Sequence, residues 1–445
     1  MIILGLGSNQ GDRLDNLRRA RELLSLIPQL RLLQVSPLYL SNALLPEQAL
    51  ESWDQPYLNL ALRCETNLQP LDLLQKLKNV EYTIGRKPLK RHWGPRVIDI
   101  DILAWDELIL KNEQLQIPHA HLPERPFALW PLSDLTPNWI YPLSGPYQGK
   151  TAAEISSRWG SRFSGQAPLQ TRQISHRIDT PRLVGILNLT PDSFSDGNQF
   201  PKVQAALSHA YHLANTGAEI LDLGAEATNP EALPLDPLEE WERLEPVLSA
   251  LKTELNYMIL PPKISIDTRH VEVAEKALHL GIDWLNDTSG LENPAMRALV
   301  ASSQRDCVMM HNLGLPADRN RVLPFHHNPI EQIKNWGEAR LAELEDYGIP
   351  REKIIFDVGL GFGKNAEQSF ALIKDIQAFQ TLGTRLLVGH SRKSFLTLFT
   401  NKAPADRDLE TAILSLHLDA QGVDYLRVHD TETCSRSFNL ARALS

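Results

Sequence analysis

Cysteine is scarce: three residues in 445, Cys64, Cys307 and Cys434, widely spaced and odd in number. They form neither a metal-type pair nor a disulfide framework, which predicts a reducing compartment. Positive charge is short as well, with 45 Lys and Arg against 54 Asp and Glu, a net charge of −9. That balance excludes a surface built as a whole for nucleic acid or anionic membrane, while leaving room for a local basic site. No apolar run approaches the roughly 20 residues of a membrane span. The opening MIILGLGSNQGDR carries an apolar stretch too short for a signal-peptide core and no basic segment ahead of it. GxxxxGK[ST] is missing, which removes the P-loop route to nucleotide phosphates. What remains, 42% hydrophobic and 22% charged residues, is an ordinary globular balance. The expectation is a soluble, cytoplasmic protein with no nucleic-acid or membrane partner.

Periodic patterns fade between Ser144 and Pro181, where Ser, Gly, Gln and Arg dominate. The reading is a first domain over 1–150, a linker over 151–178 holding at most a short helix, and a second domain over 179–445. The first part runs strand (MIILGLGS), helix, strand (LRLLQVSPLYL), strand (YLNLALRCET), helix from Pro70, strand (VIDIDILAW). That β-α-β-β-α-β order predicts an α+β ferredoxin-like sandwich. In the second part strand patterns such as RLVGILNLT, KISIDT and KIIFDVGLG alternate with helical ones. Eight such repeats predict an α/β (β/α)8 barrel, the TIM-barrel architecture. Nearly every one of these strands ends in a polar residue: Asn188, Thr228, Asp267, Asn286, His311, Asp357, Lys393, then Arg427 with His429. Since barrel active sites lie at the C-terminal strand ends, this ring predicts a catalytic mouth.

GPRVIDIDILAW sets Asp99 and Asp101 on one face of a strand, with Cα atoms about 6.6–6.8 Å apart. Carboxylates this close repel unless basic groups or a hard cation neutralise them. One reading is a solvated face paired to Arg86, Arg91 or Arg96. The other takes the whole basic set, Arg86, Arg91, His92 and Arg96 before the pair and His119 and Arg125 after it, as a site for a nucleoside triphosphate with magnesium. Oxygen ligands and substrate phosphates suit Mg²⁺, and arginines neutralise a transferring phosphoryl group.

RHWGPRVIDIDIL, with GLGSNQGD, YLNLAL and PHAHLPERPFALWPL, resembles the hydroxymethyl-dihydropterin pyrophosphokinase family over residues 1–140. The resemblance implies ATP as substrate, two Mg²⁺ ions, pyrophosphate transfer to a pterin hydroxymethyl oxygen and release of AMP. By motif position it places the metals on Asp99 and Asp101, and the triphosphate on Arg86, Arg96, His119 and Arg125. Glu81 would fix nucleotide geometry, and Tyr57, Asn59, Trp93 and Phe127 would line the pterin side. Tyr57 and Phe127 serve equally well as core residues. The chain departs from the family at Pro88, Leu89 and His92, where further basic residues are usual.

In the second part, buried acceptors (Asp267, Asp357) and amides (Asn188, Asn286) suit the N–H edge of a heterocycle, while Arg427 and His429 suit an anion. The loop NLTPDSFSDGN suits a lid. GILNLTPDSFSDG, ISIDT, LNDTSG, FDVGLGFGK, VGHSRKSF and RVHD resemble dihydropteroate synthase, in order, over 180–445. The resemblance implies condensation of para-aminobenzoate with a pterin pyrophosphate. Pterin would lie on Asp267, Asn286, Asp357 and Lys393; pyrophosphate and one Mg²⁺ on Asn188, Arg427 and His429; and the aminobenzoate near Thr228, Pro230, Phe362 and Ser394. A homodimer through the barrel is implied too. The chemistry would fall to Arg86, Arg96, Asp99 and Asp101 in the first half and to Asp267 and Lys393 in the second. Ala227, Asn229 and Glu231 stand where the synthase family has Ser, Arg and Gly. That departure keeps open a non-catalytic pterin-binding barrel, and the shared pocket keeps open a pterin-dependent methyltransferase.

Overall fold

The computed structural model describes residues 1–86, 94–189, 199–226, 234–318 and 320–444. Contacts divide it into two compact units, Met1–Asp179 and Thr180–Ser445.

In the first unit the elements are β1 (Ile2–Ser8), α1 (Arg13–Ser25), β2 (Leu30–Val35), β3 (Tyr39–Ser41), β4 (Tyr57–Thr66), α2 (Pro70–Ile84), β5 (Asp99–Trp105), β6 (Leu110–Lys111), β7 (Gln116–Ile117), α3 (Pro126–Leu135), α4 (Ala152–Ser157) and β8 (Arg172–Gln173). Helix boundaries follow local chemistry. Asp12 caps α1 by accepting from Asp15 N, Pro70 opens α2, and Gly85 ends it with φ +119°. The antiparallel sheet runs β5-β1-β4-β3-β8, with β2 also on β4. The run LRLLQVSPLYL is therefore two strands. Pro37 has no N–H to donate, and the chain resumes as β3 on a different part of β4, Tyr57–Asn59 rather than Leu62–Thr66. Across the sheet centre, Asp99 lies opposite Gly7 and Gly7 opposite Asn59, while Asp101 lies opposite Gly5. Gly7 leaves the floor between Asp99 and Asn59 uncovered, while the Leu103 side chain packs directly over Gly5.

The segment expected to be a linker is folded. Ala152 and Ile155 of α4 are buried with Leu129, Leu132 and Trp139, and Trp159 meets Trp130 edge-on at 5.7 Å. β8 extends the sheet. Arg177 is 5% exposed and donates to the Val35 carbonyl at 2.9 Å, while its own carbonyl accepts from Arg18 at 3.0 Å. A few anchors among many polar residues carry this docking, and composition averaged over a window hides them.

In the second unit the elements are β9 (Arg182–Asn188), α5 (Gln199–Asn215), β10 (Ala218–Gly224), α6 (Pro237–Glu254), β11 (Lys263–Asp267), α7 (Val271–His279), β12 (Trp284–Asp287), α8 (Pro294–Ser303), β13 (Asp306–Met310), α9 (Pro329–Asp346), β14 (Ile354–Asp357), α10 (Ala366–Lys374), β15 (Arg385–Val388), α11 (Asp408–Ala420), β16 (Tyr425–Val428) and α12 (Thr431–Leu444). The eight strands β9–β16 close into a parallel barrel. Val184, Ile220, Trp284, Val308, Ile355, Leu387 and Tyr425 pack inside it as an apolar floor. Two residues further along each strand the side chain faces inward again. That step places Asp222, Asn286, Asp357 and Arg427 above the floor, toward the C-terminal mouth. The same count puts Met310, not His311, on the inner face of β13.

Candidate active sites

In the first unit a cavity of about 410 Å³ opens over Gly5 and Gly7 and is lined by Tyr57, Asn59, Arg86, Arg96, Asp99, Asp101, His119, Arg125 and Phe127. Each Asp99 oxygen holds a guanidinium, Arg86 Nη1 at 2.6 Å and Arg96 Nη1 at 2.5 Å. Burial raises the Asp99 carboxyl, but Arg96 and Arg86 outweigh it and hold it below its ordinary value. Among the described residues the ion-pair partner of Asp101 is His119, at 4.0 Å. Burial first, then the Asp99 charge, push its carboxyl up. Asn59 Nδ2 donates to Ser41 Oγ at 3.0 Å, which orients its amide. A Cβ at Gly7 would come within 3.2 Å of Asn59 Oδ1, so glycine keeps that edge accessible. Glu81 does not line the cavity. At 2% exposure it sits behind, accepting from Ile100 N and Lys78 Nζ, each at 2.7 Å, and pairing with Arg86. It is a support for Arg86 and β5, reached because the inner face of α2 packs on that strand.

This donor set fits a hard cation. Asp99 and Asp101 offer carboxylate oxygens from one strand face, among the described residues no arginine forms an ion pair with Asp101, and bound phosphates would complete an octahedron. Among the described residues no cluster of three or more His, Cys, Asp or Glu could hold a metal by itself. A Mg²⁺ here would thus depend on substrate oxygens.

At the barrel mouth, Asn188, Gly224, Asp267 and Asn286 form one row across four strands. Arg427 donates from Nε to Asp222 at 2.6 Å and from Nη2 to Asp267 at 2.9 Å, and Asn286 donates to the same Asp222 oxygen at 3.0 Å. Burial drives the Asp267 carboxyl up to about 7 even beside Arg427. Asp357 accepts from Gly359 N at 2.8 Å, and its carboxyl is raised by burial. Lys393 lies 4.5 Å from the centre of the Phe362 ring and is lowered to about 8 by burial, with Arg427 adding to the effect. His429 accepts from or donates to Ser391 Oγ at 3.0 Å. Burial and the surrounding cations push it down to about 3, so it is neutral at physiological pH. Lys393 is not at a strand end; β15 stops at Val388, and Lys393 caps a 3-10 turn over Ser394–Leu398.

His311 leaves the expected ring of polar groups. It turns away from the mouth, packs on Trp336 with ring centres 4.8 Å apart, and meets Lys364. Trp93, Arg91 and His92, Thr228 and Pro230, the positions Ala227, Asn229 and Glu231, and the expected lid at 190–198 lie outside the described residues. Sequence reasoning missed Lys78, Ser41, Asp222 and Lys364. For Asp222 a signal existed: a lone carboxylate in the apolar run ILDLG, in phase with the inner face.

The family model of 7,8-dihydro-6-hydroxymethylpterin-pyrophosphokinase matches residues 3–137, and that of pterin-binding enzymes matches residues 184–429. The folate synthesis bifunctional protein of Chlamydia muridarum is 38% identical, over 97% of this chain and 95% of that one. Among solved structures, dihydropteroate synthase from Anaplasma phagocytophilum with bound 6-hydroxymethylpterin-monophosphate is 38% identical with a TM-score of 0.54, covering 60% of this chain and 100% of that one. The Xanthomonas albilineans dihydropteroate synthase with 4-aminobenzoic acid is 30% identical with a TM-score of 0.54, covering 60% of this chain and 93% of that one. Two separate sites, one with paired carboxylates among arginines and one at a barrel mouth, thus have matching family models in the same order, and the chain belongs to the bifunctional folate-synthesis proteins, a pterin pyrophosphokinase followed by a dihydropteroate synthase barrel.

Proposed function

We propose the following assignment of residues to the two transferase reactions. In the first unit the hydroxymethyl oxygen of 6-hydroxymethyl-7,8-dihydropterin loses its proton and bonds to the β-phosphorus of ATP; the bond from that phosphorus to the oxygen bridging to the α-phosphate breaks, and AMP and the proton leave. Arg86, Arg96, His119 and Arg125 bind the triphosphate, and Asp99 and Asp101 hold two Mg²⁺ ions, which supply charge neutralisation when bound. Tyr57, Asn59, Phe127 and Trp93 take the pterin, and Glu81 fixes Arg86. The observation that carries this reading is the single cavity lined by Asp99, Asp101, the arginines and Asn59, with Asp99 facing Asn59 across Gly7.

In the barrel the methylene–oxygen bond of the pterin pyrophosphate breaks, the para-aminobenzoate nitrogen bonds to the methylene, and pyrophosphate and one proton leave. Asp267, Asn286, Asp357 and Lys393 bind the pterin. Arg427, neutral His429 and Asn188 take the pyrophosphate, Asn188 with one Mg²⁺. Phe362, Ser394, Thr228 and Pro230 border the aminobenzoate. The protein contributes position and fixed charge, the usual route where the leaving group is already good.

Both reactions take place in the cytoplasm in this reading, among whose supports is that no helix of the described residues is long and apolar enough to cross a membrane. The barrel forms a homodimer through α11 and α12, which pair with each other and leave Leu409, Ile413, Leu440 and Leu444 exposed at i, i+4 spacing. Ile413→Glu with Leu440→Glu should give a monomer by light scattering; an unchanged mass rejects this surface. The test of function is one coupled assay. ATP, Mg²⁺, hydroxymethyl-dihydropterin and para-aminobenzoate should yield AMP, pyrophosphate and dihydropteroate, and AMP without dihydropteroate would reject the barrel assignment.

A further inference from the structure

Lys364 lies in the glycine-rich loop after β14 and is 5% exposed. Its Nζ lies 2.6 Å from His311 Nδ1, 2.9 Å from the His311 carbonyl and 3.0 Å from the Phe362 carbonyl. Burial pushes the Lys364 amine well below its ordinary value and keeps the His311 ring neutral. An ammonium donates to all three, and a neutral amine donates to the two carbonyls and accepts from an Nδ1–H, so every hydrogen-bonding site of the nitrogen is used in either form.

The loop around this lysine is clamped. A Cβ on Gly359 would fall 2.0 Å from the His311 carbonyl oxygen, and one on Gly363 would fall 2.5 Å from Leu313; both glycines have positive φ. Phe362 N donates to the Gly359 carbonyl at 3.1 Å, and the Phe362 side chain packs with Met310 and Ala317. Its ring presents a face to Lys393 Nζ at 4.5 Å. An apolar side chain would fill the same space without burying a polar nitrogen, which is costly unless it is hydrogen-bonded. What the amine adds is a fixed place for the Phe362 main chain.

We propose that Lys364 and His311 form a latch that holds Phe362, so that Lys364 is a positioning residue for the aminobenzoate step. The inference rests on the placement of Phe362 beside the aminobenzoate given above. It concerns the order of the loop that carries Phe362 and leaves pterin recognition by Asp267 and Asn286 untouched.

The experiment is steady-state kinetics of the full chain on supplied pterin pyrophosphate, varying each substrate in turn, for Lys364→Met, His311→Leu, His311→Asn and Phe362→Leu. Lys364→Met and His311→Leu should lower kcat/KM for para-aminobenzoate roughly 10- to 100-fold, the order expected for a small misplacement of a binding group. KM for pterin pyrophosphate should stay as in the parent. His311→Asn should recover most of the loss, because the asparagine amide lies near the former Nδ1 position and can accept from or donate to the Lys364 nitrogen. If both substrates suffer alike, or if His311→Asn is as poor as His311→Leu, the latch is wrong and the pair only supports the fold. If Lys364→Met does not fold, the two His311 variants decide by the same criterion. Phe362→Leu separates the premises: no change in kcat/KM for para-aminobenzoate removes the placement of Phe362, whereas a fall there without one in Lys364→Met and His311→Leu removes the latch alone.

Discussion

Asp99 and Asp101 are two residues apart on one strand face and have opposite electrostatic situations. Asp99 is held below its ordinary value despite burial, because Arg96 and Arg86 face it. Its contribution to stability is therefore present above the unfolded value, about 3.9, and is lost as pH falls through the lower folded value. Asp101 is raised, so its favourable contribution exists below about 3.9 and is lost as pH rises through the folded value. At neutral pH Asp99→Asn should cost about 1.5–3 kcal/mol in urea unfolding, since charged hydrogen bonds are broken. Asp101→Asn should cost nothing or stabilise, because a repulsion is removed. Both should abolish AMP formation, and a parental rate in either would remove that carboxylate from the metal site. At the other mouth, Asp267 near 7 and Lys393 near 8 set a narrow window. An ionised Asp267 accepts from the pterin N–H edge and a charged Lys393 donates, so kcat/KM for pterin pyrophosphate should rise with pH through about 7 and fall above about 8. Asp267→Asn should flatten the acid limb; an acid limb left in place would assign it to another group.

At the scale of elements, the segment after α3 changes where the chain can be divided. The composition of 151–178 suggests that a cut near Gly165 would separate two folded parts. The docking of α4, β8 and Arg177 argues otherwise. A fragment 1–150 loses the β8 edge and the Arg177 contacts, each worth about 1 kcal/mol net, and should melt below a fragment 1–179. Equal melting temperatures in a thermal scan would restore the linker reading. In the barrel, Glu226 binds Arg269 through both oxygens at 2.8 Å and also accepts from Leu235 N at 2.9 Å, so the residues on either side of 227–233 are tied together. Asn229→Arg with Glu231→Gly should raise kcat/KM for para-aminobenzoate, by up to roughly 10- to 150-fold if one charge-assisted contact of about 1.5–3 kcal/mol is regained. A fall would show that the chemistry of this segment is tuned to the residues it has.

For the whole molecule, each unit has a hydrophobic core of its own, one around Leu103, Leu129 and Trp139 and one around the barrel. Cores that share no side chains predict activities that fail separately. The Asp101→Asn chain, dead in AMP formation, should condense supplied pterin pyrophosphate with para-aminobenzoate at the parental rate. A proportional loss of both activities, measured side by side on one preparation, would tie the two sites together.

Much of this protein was legible in the order of its residues. Period-2 apolar runs, helix caps and the alternation of strand with helix are local, and they suffice for two units, a sandwich and a barrel. The spacing of Asp99 and Asp101 and most of the polar residues at the barrel strand ends could be read directly because a strand's geometry converts spacing into direction. What spacing along one strand does not settle is which groups from distant strands meet. Asp222 looked like an interruption in ILDLG until closure of the barrel brought Arg427 and Asn286 to it. Lys364 belonged to a motif without a partner until β13 delivered His311, and the same one-residue step that turned His311 outward put Met310 in its place. The sequence therefore determined which elements form and which faces they bury, through local sterics and periodicity. Tertiary structure decided the pairing of buried charges, because a buried ion is fixed by partners that only the closed fold brings within hydrogen-bonding distance.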